Sequence, residues 1–302
     1  MKISAYKNIA SRLEELSAVN RRERSSDIEK ELIKLRVSAG TKLCESAAGA
    51  ALIPPPHVDL FAGSKGVPEI SAGELCADKV AAAILFHGAL LVRGLYNSEH
   101  LSRLNMLARL DETPNRERNL PLGCTSHSFF EMLEVYGDCG LLQTVAEYLG
   151  GEPVIFAERT KLRHHRAERD QYAAIPWHQD ANFFGRKSYA LNCWAAVTPC
   201  GKRNPGLGIV PTRLESCVGW DLADGIAPLD YSRSMPGELL GGLLDSYPAE
   251  YPQMEPGDAI LFDEMTLHQT AVRRWDLKEQ IVTISWFFRA SAFPAWGTPL
   301  LV

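Results

Sequence analysis

Apolar residues recur at helical spacing over about the first fifty positions of the chain. Two stripes of this kind are formed by Ile9, Leu13 and Leu16 and by Ile28, Leu32 and Leu35. Ser26 and Glu29 have the Ser-x-x-Glu spacing of a capping box, which predicts that the second helix begins there. Pro54-Pro55-Pro56 cannot continue a helix. We therefore predict an N-terminal helical extension over residues 1–53 and a second domain over residues 54–302.

Helical stripes continue between residues 70 and 150, where one strand pattern interrupts them. Helices are predicted to begin near Ser71 and to cover residues 98–110 and 140–149. Ala89–Leu95 is a continuous apolar run of the length expected for a buried strand.

Beyond residue 150 the chain consists of short segments rich in β-branched and aromatic residues, separated by turn-forming residues. The predicted strands cover residues 153–163, 175–183, 189–198, 206–210, 258–262, 267–272 and 280–288. Many short strands favour an antiparallel sandwich or barrel over a parallel α/β sheet. The long segment 212–253 is predicted to be a substrate-facing insertion with a helix over residues 237–244.

Composition and charge narrow the range of partners and compartments. The 302 residues are 46% hydrophobic and carry a formal net charge of -5, which argues against a nucleic-acid-binding surface. The seven cysteines include no Cys-x-x-Cys pair, which argues against a disulfide framework or a structural zinc site. The N-terminus lacks the apolar core of a signal peptide, and no apolar run is long enough to span a bilayer. We therefore expect a cytoplasmic protein that binds neither nucleic acid nor membrane.

His178 and Asp180 are the first candidate metal ligands, and they lie in the predicted strand over residues 175–183. Alternate side chains of a strand point to one face, so this pair would project together. One further histidine would complete a 2-His-1-carboxylate set, which holds iron and leaves open coordination positions. Of the eight histidines, His268 fits best because it follows an apolar strand and begins the next one.

An ordered set of motifs makes these ligands far more specific than the His-x-Asp triplet alone. The motifs are Trp177-His178-Gln179-Asp180, Leu191–Val197, Pro205–Pro211, Pro256–Phe262 and Leu267-His268-Gln269-Thr270. Together they resemble the phytanoyl-CoA dioxygenase-like family, over roughly residues 70–290. The resemblance implies a mainly β fold with flanking helices and a double-stranded β-helix (jelly-roll, cupin-like) core. It also implies a non-haem Fe(II)- and 2-oxoglutarate-dependent dioxygenase whose iron is held by His178, Asp180 and His268.

The resemblance extends to the reaction and to the co-substrate pocket. It implies that 2-oxoglutarate is decarboxylated to succinate and CO2 while a small-molecule substrate is hydroxylated. Halogenating relatives have Ala or Gly at the position of Asp180, so the carboxylate favours hydroxylation over halogenation. Trp194 and Thr270 match minor residues of the family's 2-oxoglutarate pocket.

The arginine that binds the far carboxylate of 2-oxoglutarate in this family is replaced in this sequence. It usually stands eleven or twelve residues after the second histidine, where this chain has Glu279 and Gln280. A buried carboxylate needs a cationic partner, preferably a forked one. The candidate partners are Arg163, Arg273, Arg274 and Lys278, with Gln280 as a neutral donor.

Two other functions stay open at this point. A metal enzyme of the same fold without 2-oxoglutarate, such as a zinc hydrolase, would bind metal but no co-substrate. A non-catalytic binding module would hold no divalent metal. The basic loop 163–166, together with Arg169, Arg186 and Lys187, leads us to expect an anionic substrate. The sequence leaves the oligomeric state open.

Overall fold

The computed structural model describes residues 2–48, 58–110, 120–166, 175–185, 187–201, 204–218, 237–271 and 279–302. Its helices are α1 (Lys2–Arg22), α2 (Ser26–Ala47), α3 (Ala77–His87), α4 (Ser98–Leu110), α5 (Ser126–Asp138), α6 (Leu141–Leu149), α7 (Ala181–Phe184) and α8 (Gly237–Ser246). Its strands are β1 (Glu69–Ser71), β2 (Ala89–Arg93), β3 (Pro153–Phe156), β4 (Lys161–Arg166), β5 (Ala190–Ala196), β6 (Gly206–Arg213), β7 (Ala259–Asp263), β8 (Thr266–Ala271), β9 (Glu279–Arg289) and β10 (Pro299–Leu301).

The described strands form one large mixed sheet and one sheet of two strands. The large sheet has the order β1-β2-β7-β5-β9-β3-β10, with β4 also paired to β9, and β6 pairs with β8 in the small sheet. These pairs are antiparallel except for β1 with β2. The predicted mainly β core with flanking helices is confirmed, and its strand order is far from sequential, as expected for a jelly roll.

Residues on the central strands alternate between two apolar layers. Leu191, Cys193 and Ala195 of β5 pack in the layer that contains the buried residues of α3, α4, α5 and α6. Trp194 and Ala196 point the other way, into a layer shared with the inner residues of β6. This period of two places one face of the large sheet against the helices and leaves the other face for the functional site.

The N-terminal helices are present as predicted, although their start signal differs. The helix α2 begins after Ser25, and Glu29 accepts a hydrogen bond from Ser126 Oγ at 2.7 Å. The predicted capping box at Ser26 is therefore wrong, because the acidic side chain is recruited by a distant helix. A capping box is instead formed at Ser71, whose backbone N–H and hydroxyl donate to Glu74 at 3.0 and 2.8 Å.

The helix α2 packs against β10 near the end of the chain. Arg36 donates a hydrogen bond to the Leu301 carbonyl at 2.9 Å. A Cβ at Gly40 would lie 2.6 Å from the Pro299 carbonyl oxygen, so the close approach requires glycine. The predicted boundary at Pro54-Pro55-Pro56 lies outside the described residues.

Two further predictions concern the surface of the molecule. The helix predicted over residues 237–244 is confirmed as α8, and residues 219–236 of the predicted insertion lie outside the described part of the chain. No described helix is both long and apolar enough to cross a lipid bilayer.

Candidate metal centre

The segment around His178 is a bridge followed by a turn, and the predicted strand over residues 175–183 is wrong beyond that bridge. His178 pairs with His268, and their backbone N–H groups donate to each other's carbonyl oxygens at 2.9 and 3.0 Å. Asp180 has helical backbone angles (φ -69, ψ -21) and occupies the N-cap position of α7 without a side-chain cap hydrogen bond. The Ala181 N–H donates to the Glu264 carbonyl at 2.8 Å, which fixes the turn. The two ligand side chains therefore converge through a turn, not through strand alternation.

Gln179, between the two candidate ligands, anchors this turn to two distant loops. Its side chain is fully buried, and its Nε2 donates to the carbonyls of Met265 at 2.8 Å and Ser216 at 3.2 Å. Its Oε1 accepts the Val218 N–H at 2.7 Å. Gln179 has no role that the sequence predicts, because an amide is a poor metal ligand and its partners lie 37 to 86 residues away.

Three buried donor groups meet in front of this turn. The Nε2 atoms of His178 and His268 lie 3.7 and 3.4 Å from the two oxygens of Asp180. One ligand atom from each of the three residues lies within 4.8 Å of the others. The His178 Nδ1 is 2.7 Å from the Pro176 carbonyl, and the His268 Nδ1 is 3.0 Å from the Thr266 carbonyl. Because a carbonyl only accepts, each Nδ1 carries the proton, and each Nε2 carries the lone pair that can bind a metal.

The charge states of these groups also suit a metal. Burial lowers the pKa of His178 to about 4, and burial together with the His178 charge lowers the pKa of His268 well below its ordinary value. Burial raises the pKa of Asp180 to about 7, against the opposing charge of Arg159. Two neutral imidazoles and one buried carboxylate form a donor set that a divalent cation would stabilise. The residues therefore fit an iron ion.

A cavity opens at the three donors and contains several of the predicted pocket residues. Trp194, Thr270 and Arg163 line it together with the metal-site residues. Gln280 is not among the described lining residues, because its Nε2 donates to the Pro205 carbonyl and lies 3.5 Å from the Cys200 sulfur. The other candidates, Arg273, Arg274 and Lys278, lie outside the described residues.

Glu279 stands on the opposite face of β9 from this cavity. Its two carboxylate oxygens accept hydrogen bonds from Arg109 at 3.1 and 2.9 Å. His164 of β4 also contacts this carboxylate at 2.5 Å. One of the two positions expected for the family's arginine is thus occupied by a carboxylate that ties α4 to the sheet.

The basic segment 163–166 is strand β4, so the predicted loop there is wrong. Lys161 and Arg163 pair with Ile284 and Val282 of β9, and both side chains line the cavity together with Arg159. Arg159 and Lys161 were missed by the sequence analysis. The spacing Arg-x-Lys-x-Arg puts all three on one face of an extended chain, and this period of two was the available signal.

The family model for phytanoyl-CoA dioxygenase (PhyH) matches residues 87–274, which is more than half of the chain. The chain belongs to this family. The matched segment begins at the end of α3 and contains β8, and it therefore includes both histidines and the aspartate of the candidate metal centre. No curated protein sequence matches this PhyH protein.

Solved structures share the fold of this PhyH protein at low sequence identity. EctD from S. alaskensis with 2-oxoglutarate and 5-hydroxyectoine is 16% identical to this chain. The alignment covers 80% of this chain and 85% of the EctD chain, with a TM-score of 0.54. EctD with bound Fe is 15% identical to this chain. The alignment covers 78% of this chain and 84% of the EctD chain, with a TM-score of 0.55. The epimerase SnoN with Fe3+, alpha ketoglutarate and nogalamycin RO is 16% identical to this chain. The alignment covers 70% of this chain and 83% of the SnoN chain, with a TM-score of 0.52. These likenesses confirm the fold predicted from the motifs.

Proposed function

We propose that this PhyH protein is a non-haem Fe(II)- and 2-oxoglutarate-dependent dioxygenase that hydroxylates a small molecule. The observation that carries the proposal is the buried set of His178, Asp180 and His268, with both Nε2 atoms within 3.7 Å of one carboxylate. The iron and 2-oxoglutarate (alpha ketoglutarate) in structures of EctD and SnoN support the same pair of cofactors here.

In this reaction the residues of the chain would hold the metal, orient the reactants and keep water away from the metal ligands. When bound, Fe(II) with 2-oxoglutarate would put one oxygen atom of O2 into a substrate C–H bond and the other into succinate, with release of CO2. His178, Asp180 and His268 would hold the metal and leave its remaining positions for the two reactants. The rings of Phe262 and Phe183 pack 4.6 Å from the His268 ring and 5.9 Å from the His178 ring. These rings keep the imidazoles in place and keep water away from them.

Arg163 is the residue we assign to the far carboxylate of 2-oxoglutarate. It lies opposite Val282, two residues from Gln280, so it reaches the end of the cavity where the family's arginine is expected. Burial raises the pKa of the Cys200 thiol, and the charge of Arg163 opposes this rise. The Cys200 sulfur lies 3.5 Å from the Nε2 of Gln280. A guanidinium binds a carboxylate through two parallel hydrogen bonds.

Two features support hydroxylation as the outcome. Asp180 keeps its carboxylate at the metal centre, whereas the halogenating relatives have Ala or Gly at this position. The cavity also has apolar walls, including Phe262, Leu207 and Trp286, that suit the uncharged part of a substrate.

Succinate release tests the proposal directly. Wild-type protein with Fe(II), 2-oxoglutarate and O2 is expected to form succinate, and a substrate is expected to gain one oxygen atom from 18O2. The variants Asp180→Ala and His268→Ala should release none while remaining folded by circular dichroism. Succinate from both variants at the wild-type rate would refute the proposed site. Metal binding without any succinate would instead favour a jelly-roll enzyme that does not use 2-oxoglutarate.

A further inference from the structure

Arg159 lines the same cavity as the metal ligands but belongs to neither the metal set nor the assigned 2-oxoglutarate site. It ends the short 3-10 helix Ala157–Arg159 between β3 and β4. The turn is held rigidly, because Ala157 and Thr160 are buried and Glu158 accepts two hydrogen bonds from Thr298. The arginine therefore leaves the backbone at a fixed point.

An aromatic ring supports the guanidinium of Arg159. Its Cζ lies 5.8 Å from the centre of the Trp296 ring. Trp296 in turn packs on Phe156 at 4.9 Å and on Phe184 at 6.4 Å, with the Phe184 ring stacked at 24°. A cation–π contact of this kind holds the charge in position and uses none of its N–H groups.

One N–H group of Arg159 lacks an acceptor within the described part of the chain. Its Nε is buried and has no hydrogen-bond partner among the described residues. Guanidinium presents five donors in a planar fork, and a buried donor without an acceptor is unfavourable. An oxyanion of a ligand would satisfy this fork.

The position of Arg159 separates it from the 2-oxoglutarate residue. Its guanidinium lies over the Trp296 ring, which packs on Phe184, whereas Arg163 lies on β4 opposite Val282 of β9. A divalent metal, the Asp180 carboxylate and the two carboxylates of 2-oxoglutarate together carry one negative charge, whereas Arg159, Lys161 and Arg163 bring three positive charges to the cavity lining. Arg159 is then an additional positive charge beside the metal centre.

We propose that Arg159 is a substrate-binding residue that recognises an oxyanion, a carboxylate or a phosphate group, on the molecule to be oxidised. The inference rests on the proposed function, because it takes the metal and Arg163 as the sites of 2-oxoglutarate. The uncharged part of the substrate packs against the apolar walls formed by Trp286 and Phe262. The substrate class is therefore an organic acid or a phosphate ester with an apolar body.

Calorimetric titration without oxygen tests this assignment on the full chain loaded with Fe(II) and 2-oxoglutarate. The probes are 3-phenylpropionate, phenyl phosphate and the neutral 3-phenylpropanamide. Wild type is expected to bind at least one acid more tightly than the amide. The variant Arg159→Gln should weaken binding of that acid by about 10- to 100-fold and leave amide binding unchanged. Arg159→Lys, which keeps the charge but loses the fork, should fall between the two.

The outcomes distinguish this inference from the proposed function. The acid that binds more tightly shows whether the substrate carries a carboxylate or a phosphate. Equal binding of acids and amide, or no binding of either acid, overturns the role of Arg159. A loss of 2-oxoglutarate affinity in Arg159→Gln, with acid binding unchanged, overturns it too and leaves the proposed function standing. Absence of 2-oxoglutarate binding in wild type, with acid binding still dependent on Arg159, refutes the proposed function and keeps the anion site.

A second substitution tests the same site in case Arg159→Gln fails to fold. Trp296→Leu removes the ring under the guanidinium without touching the metal ligands, and it should weaken acid binding in the same direction as Arg159→Gln. Thermal unfolding of each variant, compared with wild type, separates loss of the site from loss of the fold. If a folded Trp296→Leu variant binds the acid as tightly as wild type, the Trp296 ring does not support the Arg159 guanidinium.

Discussion

His178 and His268 are joined by two backbone hydrogen bonds, of 2.9 and 3.0 Å, although they lie far apart in the sequence. Their ring centres are 4.2 Å apart, and both Nε2 atoms face Asp180. The pairing of the two ligand histidines is therefore part of the sheet hydrogen bonding itself. The donor set is preorganised by the fold, which lowers the cost of assembling a metal site.

Gln179 is predicted to hold this preorganised turn. Gln179→Leu leaves the Val218 N–H and the Met265 carbonyl without their partner, so we expect the free energy of unfolding to fall by about 2–4 kcal/mol. Metal affinity should fall as well. The control is Gln143→Leu, because Gln143 is exposed and donates to Glu147 of its own helix, and it should change stability by less than about 0.5 kcal/mol. Urea unfolding measures the free energy of unfolding of the two variants, and an equal loss in both would refute the role of Gln179.

Gly88 is predicted to be required for the contact between α3 and β6. It has a φ of +76, and a Cβ there would lie 2.8 Å from the Val210 carbonyl oxygen. Gly94 has a φ of +65 but no atom within 4 Å of a built Cβ. We expect Gly94→Ala to destabilise by about 1 kcal/mol and Gly88→Ala by about 2 kcal/mol more, because only the second also creates a clash. Similar melting temperatures for the two variants would contradict this reading of Gly88.

The strands β5, β6, β7, β8 and β9 and the helix α6 were predicted from the sequence because hydrophobic spacing is a local signal. The strands β1 and β10 were missed because three residues are too few to show a period. The helix α5 was missed because it is buried on most sides, including Phe129, Met132 and Tyr136, so it lacks a polar face.

The three candidate metal ligands were predicted from motifs, whereas the way their side chains converge could not be predicted. The turn after His178 depends on hydrogen bonds from Gln179 and Ala181 to residues near position 265, and contacts of that range leave no periodic trace. The cations of the cavity are a different case. Arg159, Lys161 and Arg163 show a period of two that predicts a strand face, and only Arg163 was selected.

The buried carboxyl pair Asp263 and Glu264 predicts a pH dependence of stability. Burial and the charge of Asp263 raise the pKa of Glu264 to about 8 from an ordinary value of 4.5, although Arg213 opposes this rise. Between these values the folded state binds more protons than the unfolded state, so this group lowers stability as pH rises from about 4.5 to about 8. Glu264→Gln should remove that slope in urea unfolding measured near pH 5 and near pH 8. A variant with the wild-type slope would contradict the assignment to Glu264.

Restoring an arginine at position 279 is predicted not to improve 2-oxoglutarate binding. The side chain at this position faces Arg109 and His164, away from the cavity. Glu279→Arg should lower stability by about 1 kcal/mol, a small effect because the ion pair is partly exposed. Arg163→Gln, by contrast, should weaken 2-oxoglutarate binding by about 10- to 100-fold. Tighter 2-oxoglutarate binding by Glu279→Arg would show that the family's arginine site is intact and that Arg163 does not replace it.

The central claim is that His178, Asp180 and His268 hold iron in a form that chelates 2-oxoglutarate. Its most direct test is the visible absorption spectrum of the Fe(II)-loaded chain, recorded without oxygen before and after addition of 2-oxoglutarate. We predict a metal-to-ligand charge-transfer band in wild type that is absent from a folded His268→Ala variant. Iron binding by wild type without such a band would contradict the claim.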